Sequence, residues 1–178
     1  MIVVSDTSPI CYLLLIDQIM ILQKLYDVVV IPQAVADELN ASESPSVVRN
    51  WIANPPNWLQ IEIVSASSRS GLEKLDSGEQ EAILLAEQIE AELIILDDKA
   101  ARQIASERGL RIIGLLGIIK DAAQLGLLDL RVTFERLQEA GFWVAPSLLE
   151  RLLRQALNKQ GEINNGSSGI VMQIINLK

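Results

Sequence analysis

The segment from Leu75 to Arg102, LDSGEQEAILLAEQIEAELIILDDKAAR, limits the possible folds more than any other part of the sequence. Its first half places apolar residues at spacings of three and four, as on a helix packed against a core. Its second half contains the continuous apolar run Leu93 to Leu96, which is typical of a parallel strand covered on both faces. That run stops at Asp97 and Asp98. In open parallel sheets the functional crevice lies beyond the carboxyl ends of the strands, so the segment predicts an α/β fold with acids at its functional edge.

The helix in this segment has two candidate capping boxes, Ser77 with Gln80 and Asp76 with Glu79. Both have the spacing in which a side chain at the helix start and another one turn later satisfy each other's backbone donors. Either choice places Glu79 in the first turn of the helix, within reach of the strand ends.

The rest of the chain repeats the alternation of strands and helices. A short strand Ile2 to Val4 precedes Asp6, and a β-branched strand Asp27 to Ile31 precedes a helix that Pro32 opens and that carries Glu38. The remaining expected elements are one broken or two short helices over 10–25, a short helix within 44–58, a half-exposed strand over 59–64, a strand over 110–114, and helices near 99–109, 115–126, 130–140 and 146–158. This order predicts a three-layer α/β/α sandwich with a mainly parallel central sheet. We expect one domain over 1–160 and a C-terminal tail over 161–178.

The composition excludes several kinds of chemistry. The chain has no histidine, which excludes imidazole catalysis, and its one cysteine, Cys11, excludes an intrachain disulfide and a zinc site built on several cysteines. A net charge of −8 argues against a broad nucleic-acid-coating surface. The N-terminus resembles no secretory signal and no apolar run reaches membrane-spanning length, so we expect a cytoplasmic protein.

Four acids from separate elements can meet at one edge of the sheet: Asp6, Glu38, Glu79 and Asp98. Clustered carboxylates repel one another unless cations or protons offset their charge, and Mg²⁺ prefers oxygen ligands. A divalent ion held there can assist phosphodiester cleavage without histidine. Each acid also has a plainer structural role. Asp6, and Asp97 or Asp98, can cap helices, and Glu79 can interact favourably with the dipole at a helix N-terminus. Glu38 can be an ordinary solvated helix residue.

Five ordered motifs carry a family resemblance: SDTSPI, PQAVADEL, DSGEQEAILLA, IILDDKAAR and RIIGLLGIIKDAAQLGLL. The chain resembles PIN domain ribonucleases, in particular a PIN-like bacterial and archaeal branch related to VapC toxins. The resemblance spans about residues 1–160. It implies a PIN fold and a metal-dependent endoribonuclease that uses Mg²⁺ or Mn²⁺. It also suggests the toxin of a toxin–antitoxin pair.

The resemblance also assigns the acids by position. It implies that Asp6 is the first metal ligand, Glu38 the second and Glu79 the third, where the family more often has aspartate. The fourth ligand matches Asp98 best, with Asp97 directly before it as the alternative.

Substrate contacts are expected beside these acids. Thr7 and Ser8 adjoin the first acid, and Lys99 and Arg102 follow the last. Phosphates are held by such hydroxyls and cations. Turn formation by the hydroxyls and a helical ion pair between Arg102 and Asp98 are the structural alternatives.

Two other readings use different features of the sequence. A phospho-accepting signalling domain also carries acids after neighbouring strands, but it needs a lysine after the last strand, where this chain has LLGII. A catalytically inactive PIN-like module that binds protein or RNA is the stronger alternative. The apolar helices over 10–25 and 110–130 can include a surface for a homodimer, and the resemblance implies RNA as substrate and a small antitoxin as partner.

Overall fold

The computed structural model describes residues 1–65, 69–145, 147–152 and 154. The elements in chain order are β1 (Ile2–Ser5), α1 (Thr7–Leu15), α2 (Met20–Leu25), β2 (Val28–Pro32), α3 (Gln33–Leu39), α4 (Ser46–Ile52), β3 (Leu59–Glu62), α5 (Ser77–Gln88), β4 (Leu93–Ile95), α6 (Lys99–Glu107), β5 (Ile112–Ile113), α7 (Leu115–Gln124) and α8 (Leu130–Glu139). The predicted alternation of strands and helices is confirmed, and the apolar stretch over 10–25 forms two short helices. Residues 147–152 are also helical, and the predicted tail over 161–178 lies outside the described residues.

The five strands form one parallel sheet in the order β3-β2-β1-β4-β5. In the pairing register, Val4 lies beside Val30 on one side and Ile94 on the other, so β1 occupies the centre. The chain runs outward from β1 in one direction through β2 and β3, and in the other through β4 and β5. The order therefore changes direction between β1 and β4, and crevices in open α/β sheets form at such a switch point.

The central strands are buried on both faces, as their continuous apolar sequences predict. Val4, Val30 and Ile94 belong to a core cluster that also contains the apolar face of α5, including Ile83 and Leu85. Alternate residues such as Val3, Val29 and Ile95 are also fully shielded from solvent. This architecture is a PIN-like α/β/α sandwich, and it confirms the fold class expected from the sequence.

The chain divides into two compact units, with the division after Ile118 inside α7. The first unit contains the whole sheet and all of the acids predicted to form the site. In the second unit, Asp129 caps α8 by accepting a hydrogen bond from the Val132 backbone N–H, and Phe134 and Leu137 are buried. Among the described residues, no helix combines the length and apolarity needed to span a bilayer.

Candidate metal centre

Asp6 follows the central strand at the switch point of the sheet. Its backbone N–H donates to the Ile95 carbonyl oxygen at 3.1 Å, which extends the β1–β4 pairing by one residue. The residue is only 5% exposed, and its side-chain Oδ1 is buried without a hydrogen-bond partner. An unpaired buried carboxylate oxygen is costly, so this atom is an open position for a proton or a cation.

Glu38 lies in the last turn of α3, and its carboxylate rests against the beginning of α5. The Gly78 backbone N–H donates to its Oε1 at 2.9 Å, and the Ser77 hydroxyl donates to the same atom at 3.2 Å. The Thr7 hydroxyl donates to its Oε2. The two oxygens are therefore held by donors from two helices, α1 and α5.

Asp76 is the N-cap of α5 and forms one half of a capping box. Its Oδ1 accepts a hydrogen bond from the Glu79 backbone N–H at 2.8 Å, and Glu79 Oε2 accepts one from the Asp76 backbone N–H at 3.2 Å. The structure thus selects the Asp76–Glu79 pair over the Ser77–Gln80 pair as the capping box.

One carboxylate oxygen from each of Asp6, Glu38 and Asp76 lies within 4.8 Å of the other two. We call these three residues the acidic cluster. It runs from the buried Asp6 through the half-buried Glu38 to the exposed Asp76, so one side faces solvent. No ion pair between described residues involves any of the three.

Burial and the neighbouring acids raise the pKa of Asp6. Burial is the largest cause, and with the charges of Asp76, Glu79 and Glu38 it raises the pKa from the ordinary 3.8 to about 7, against a lowering by the Thr7 backbone hydrogen bond. Burial is also the main cause that raises the pKa of Glu79, followed by the charge of Asp76. The site therefore favours bound protons or cations over free negative charge.

These residues fit a divalent cation. All three donors are carboxylates, the ligand type that Mg²⁺ and Mn²⁺ prefer, and Asp6 Oδ1 has no partner of its own. The other predicted acids make different contacts. Glu79 lies beside the acidic cluster with one oxygen in the capping box. Asp98 caps α6 by accepting hydrogen bonds from the backbone N–H groups of Ala100 and Ala101.

Asp97 points at another helix. Its Oδ1 accepts a hydrogen bond from the Leu115 backbone N–H at the start of α7 at 3.0 Å, and its Oδ2 is buried without a partner. Burial raises the pKa of Asp97, although the Leu115 hydrogen bond and the charge of Arg102 lower it. The Arg102 guanidinium donates to the Leu96 carbonyl oxygen at 2.8 Å, in place of the expected helical ion pair with Asp98.

The remaining residues predicted to contact a substrate are Thr7, Ser8 and Lys99, which lie close to Asp6 or Asp98 in the sequence. Thr7 is half-buried and engaged with Glu38, whereas Ser8 and Lys99 are exposed. Lys99 is the first residue of α6, directly after the cap Asp98. Ser8 and Lys99 are therefore accessible from solvent.

The profile of the DUF3368 family, described as a PIN domain, matches residues 2–158. The chain belongs to the PIN domain family. This PIN protein has no significant match among curated proteins or solved structures. The family assignment confirms the resemblance seen in the sequence motifs, and the acidic cluster agrees with the divalent-metal chemistry general among PIN domains.

Asp76, Ser77 and Gly78 contribute to the site, although the sequence analysis predicts none of them as a site residue. The sequence pattern marks Asp76 only as a candidate cap, although an acid at the start of a helix that borders the strand ends has the same access to the site as one in the first turn. Gly78 carries its own signal, since glycine weakens a helix and is used where another group approaches the backbone closely.

Proposed function

We propose that this PIN protein is a metal-dependent endoribonuclease that hydrolyses RNA phosphodiester bonds with Mg²⁺ or Mn²⁺. The observation that carries the proposal is the acidic cluster, in which three carboxylates meet within 4.8 Å at the switch point of the sheet. Membership in a family whose members are generally nucleases supports it. The absence of histidine from the chain is consistent with this class of chemistry.

Asp6, Glu38 and Asp76 are the residues that would hold the cation. Bound there, it would supply Lewis-acid stabilisation for the negative charge that develops on a phosphodiester during hydrolysis. The protein contributes a fixed arrangement of charges: Asp6 is held by β1, Glu38 by three donors, and Asp76 by the helix that it caps. The exposed side of the acidic cluster at Asp76 is where a phosphate group would enter.

The arginine and lysine side chains around the site favour an RNA substrate that is recognised through a few local contacts. Arg69 forms an ion pair with Glu81 at 2.7 Å, and Arg102 is bound to a backbone carbonyl oxygen. Lys74 and Lys99 are exposed. Because the net charge of −8 opposes general attraction to phosphates, we propose cleavage of a structured RNA held by a few local contacts, with Ser8 and Lys99 as candidates.

Metal binding and RNA cleavage should depend on Asp6. Calorimetric titration with Mn²⁺ and Mg²⁺, together with cleavage of a mixed RNA pool, would compare the wild type with Asp6→Asn. Asp37→Asn is the matched control, because Asp37 is exposed on α3 beside Glu38 and its side chain accepts a hydrogen bond from Gln33. Loss of binding and cleavage in Asp6→Asn alone supports the proposal.

A wild type that binds neither metal overturns the metal-nuclease proposal. Metal binding without cleavage of any RNA in the pool favours the alternative, a PIN-like module that binds RNA or protein without turnover. The toxin role and the small antitoxin partner stay predictions of the family resemblance, and the homodimer stays a prediction from the apolar helices over 10–25 and 110–130. Sedimentation of the purified protein tests the homodimer, and growth arrest on expression tests the toxin role.

A further inference from the structure

Gly78 is the second residue of α5 and is buried. Glycine weakens a helix because it loses more conformational freedom on folding than alanine does. Gly78 is not among the described glycines with positive φ, so its backbone does not require glycine. Glycine is therefore needed at this position because there is no space for a side chain.

The Glu38 carboxylate occupies the space that a side chain at position 78 would need. A Cβ added to Gly78 would lie 2.5 Å from Glu38 Oε2, 2.7 Å from Oε1 and 2.9 Å from Cδ. Contacts this short are repulsive. Any other residue at position 78 therefore forces the carboxylate to move, and the movement is feasible because this group ends a flexible side chain.

The donors around Glu38 depend on that close approach. The Gly78 and Ser77 donors belong to the first turn of α5, where the unpaired backbone N–H groups and the helix dipole favour a negative charge. Asp6 and Asp76 are positioned independently, by β1 and by the capping box. Moving Glu38 away from Gly78 thus changes its distance to the two other acids while leaving those acids in place.

We propose that Gly78 is a positioning residue that sets the reach of Glu38 towards Asp6 and Asp76, and through it the affinity of the acidic cluster for a divalent cation. This inference rests on the proposed metal centre. Substitutions of residues that orient metal ligands typically lower metal affinity by roughly 10- to 100-fold. We expect a loss of this size in Gly78→Ala.

The experiment is a double-mutant cycle of Gly78→Ala and Glu38→Asp, with Mn²⁺ affinity measured by calorimetry and the melting temperature measured without metal. In the wild-type background, Glu38→Asp withdraws the carboxylate from its donors, which lowers both the Mn²⁺ affinity and the metal-free melting temperature. In the Gly78→Ala background, the shorter side chain relieves the clash and raises Mn²⁺ affinity. We therefore expect Glu38→Asp to lower Mn²⁺ affinity in the wild-type background and to raise it in the Gly78→Ala background. A purely structural role of Gly78 would not produce these opposite effects.

Gly117→Ala is the matched control, because Gly117 is also a helical glycine but its added Cβ would meet Ile113 Cγ1, at 2.7 Å. It should leave Mn²⁺ affinity unchanged. Wild-type affinity in Gly78→Ala, or additive losses in the double variant, overturns the inference while the metal centre stands. A wild type that binds no Mn²⁺ overturns the metal centre and the inferred control of affinity, and the metal-free melting temperatures then decide separately whether Gly78 positions Glu38.

Discussion

Asp76 and Glu79 cap each other: each side chain accepts a hydrogen bond from the other's backbone N–H, at 2.8 Å to Asp76 Oδ1 and 3.2 Å to Glu79 Oε2. Asp76 also places a carboxylate oxygen within 4.8 Å of oxygens on Asp6 and Glu38. The same side chain therefore begins α5 and contributes to the acidic cluster, so substitutions can separate its two roles.

Asp76→Asn should keep the helix cap and lose the charge. Asparagine caps as well as aspartate, whereas alanine at an N-cap costs about 1 kcal/mol of stability. We therefore expect both Asp76→Asn and Asp76→Ala to lower Mn²⁺ affinity by roughly tenfold or more, and only Asp76→Ala to lower the free energy of unfolding. Calorimetry and urea denaturation of the two variants measure these effects. Unchanged Mn²⁺ affinity in Asp76→Asn would remove Asp76 from the metal site.

Glu79→Gln should affect metal affinity less than Asp76→Asn does. Glutamine at this position also completes a capping box, so the helix start is retained. One Glu79 oxygen is engaged by the Asp76 backbone N–H, and Glu79 is not one of the three acids that meet within 4.8 Å. Parallel Mn²⁺ titrations of the two variants compare the roles directly. A larger loss in Glu79→Gln would instead support the ligand assignment that the family resemblance implies.

Local sequence patterns predicted most of the fold because the strands and helices have strong and different periodicities. The runs around Val29 and Ile94 are apolar without interruption, as strands covered on both faces must be. Element ends are set less sharply by sequence: Pro32 is predicted to open α3, but it is the last residue of β2 and the N-cap of the helix. Proline suits either position because its fixed φ is compatible with an extended strand end and with a helix start.

The composition of the site was harder to predict than its place on the sheet. Strand ends located Asp6 and the Asp97–Asp98 pair, because parallel strands bring their carboxyl ends to one edge. Side-chain direction decides the rest and depends on tertiary contacts. Asp97 turns to the start of α7, and Asp76 joins the acidic cluster because α3 and α5 pack together. These contacts join residues far apart in sequence, and no local pattern encodes them.

Asp97 and Asp98 should respond differently to the same substitution. Asp98 lies close enough to Glu79 for its charge to contribute to raising the pKa of Glu79, whereas the Asp97 carboxylate bonds to Leu115. We expect Asp98→Asn to lower Mn²⁺ affinity by a few-fold and Asp97→Asn to leave it unchanged. Mn²⁺ titration of both variants measures this. A loss confined to Asp97→Asn would assign the fourth acid to Asp97.

Helix stability supplies the control for Asp98. Its Oδ1 accepts hydrogen bonds from the Ala100 and Ala101 backbone N–H groups at 2.7 and 2.9 Å. Asp98→Ala should therefore cost about 1 kcal/mol in the free energy of unfolding, whereas Asp98→Asn should cost little because asparagine also caps helices. Equal stability of the two variants would show that this cap is not important for folding.

The metal-free protein should lose stability as pH rises from about 4 to about 7 because of Asp6. The pKa of Asp6 is 3.8 in the ordinary case and about 7 in the folded protein, so between these values the unfolded chain has released a proton that the folded chain retains. Folding then takes up a proton, and the free energy of unfolding falls with pH until it levels off above the folded pKa. The interval from 3.8 to about 7 corresponds to at most about 4 kcal/mol.

Asp6→Asn isolates this contribution, because it removes the titrating group and leaves the other carboxylates. Urea denaturation at several pH values in the presence of a chelator should show the wild type losing stability relative to Asp6→Asn between pH 4 and pH 7, with no further change above about pH 7. Saturating Mn²⁺ at neutral pH should stabilise the wild type and not the variant, since a ligand that binds only the folded state raises its stability. Parallel pH profiles of the two proteins without metal would show that the Asp6 carboxyl titrates as it does in water.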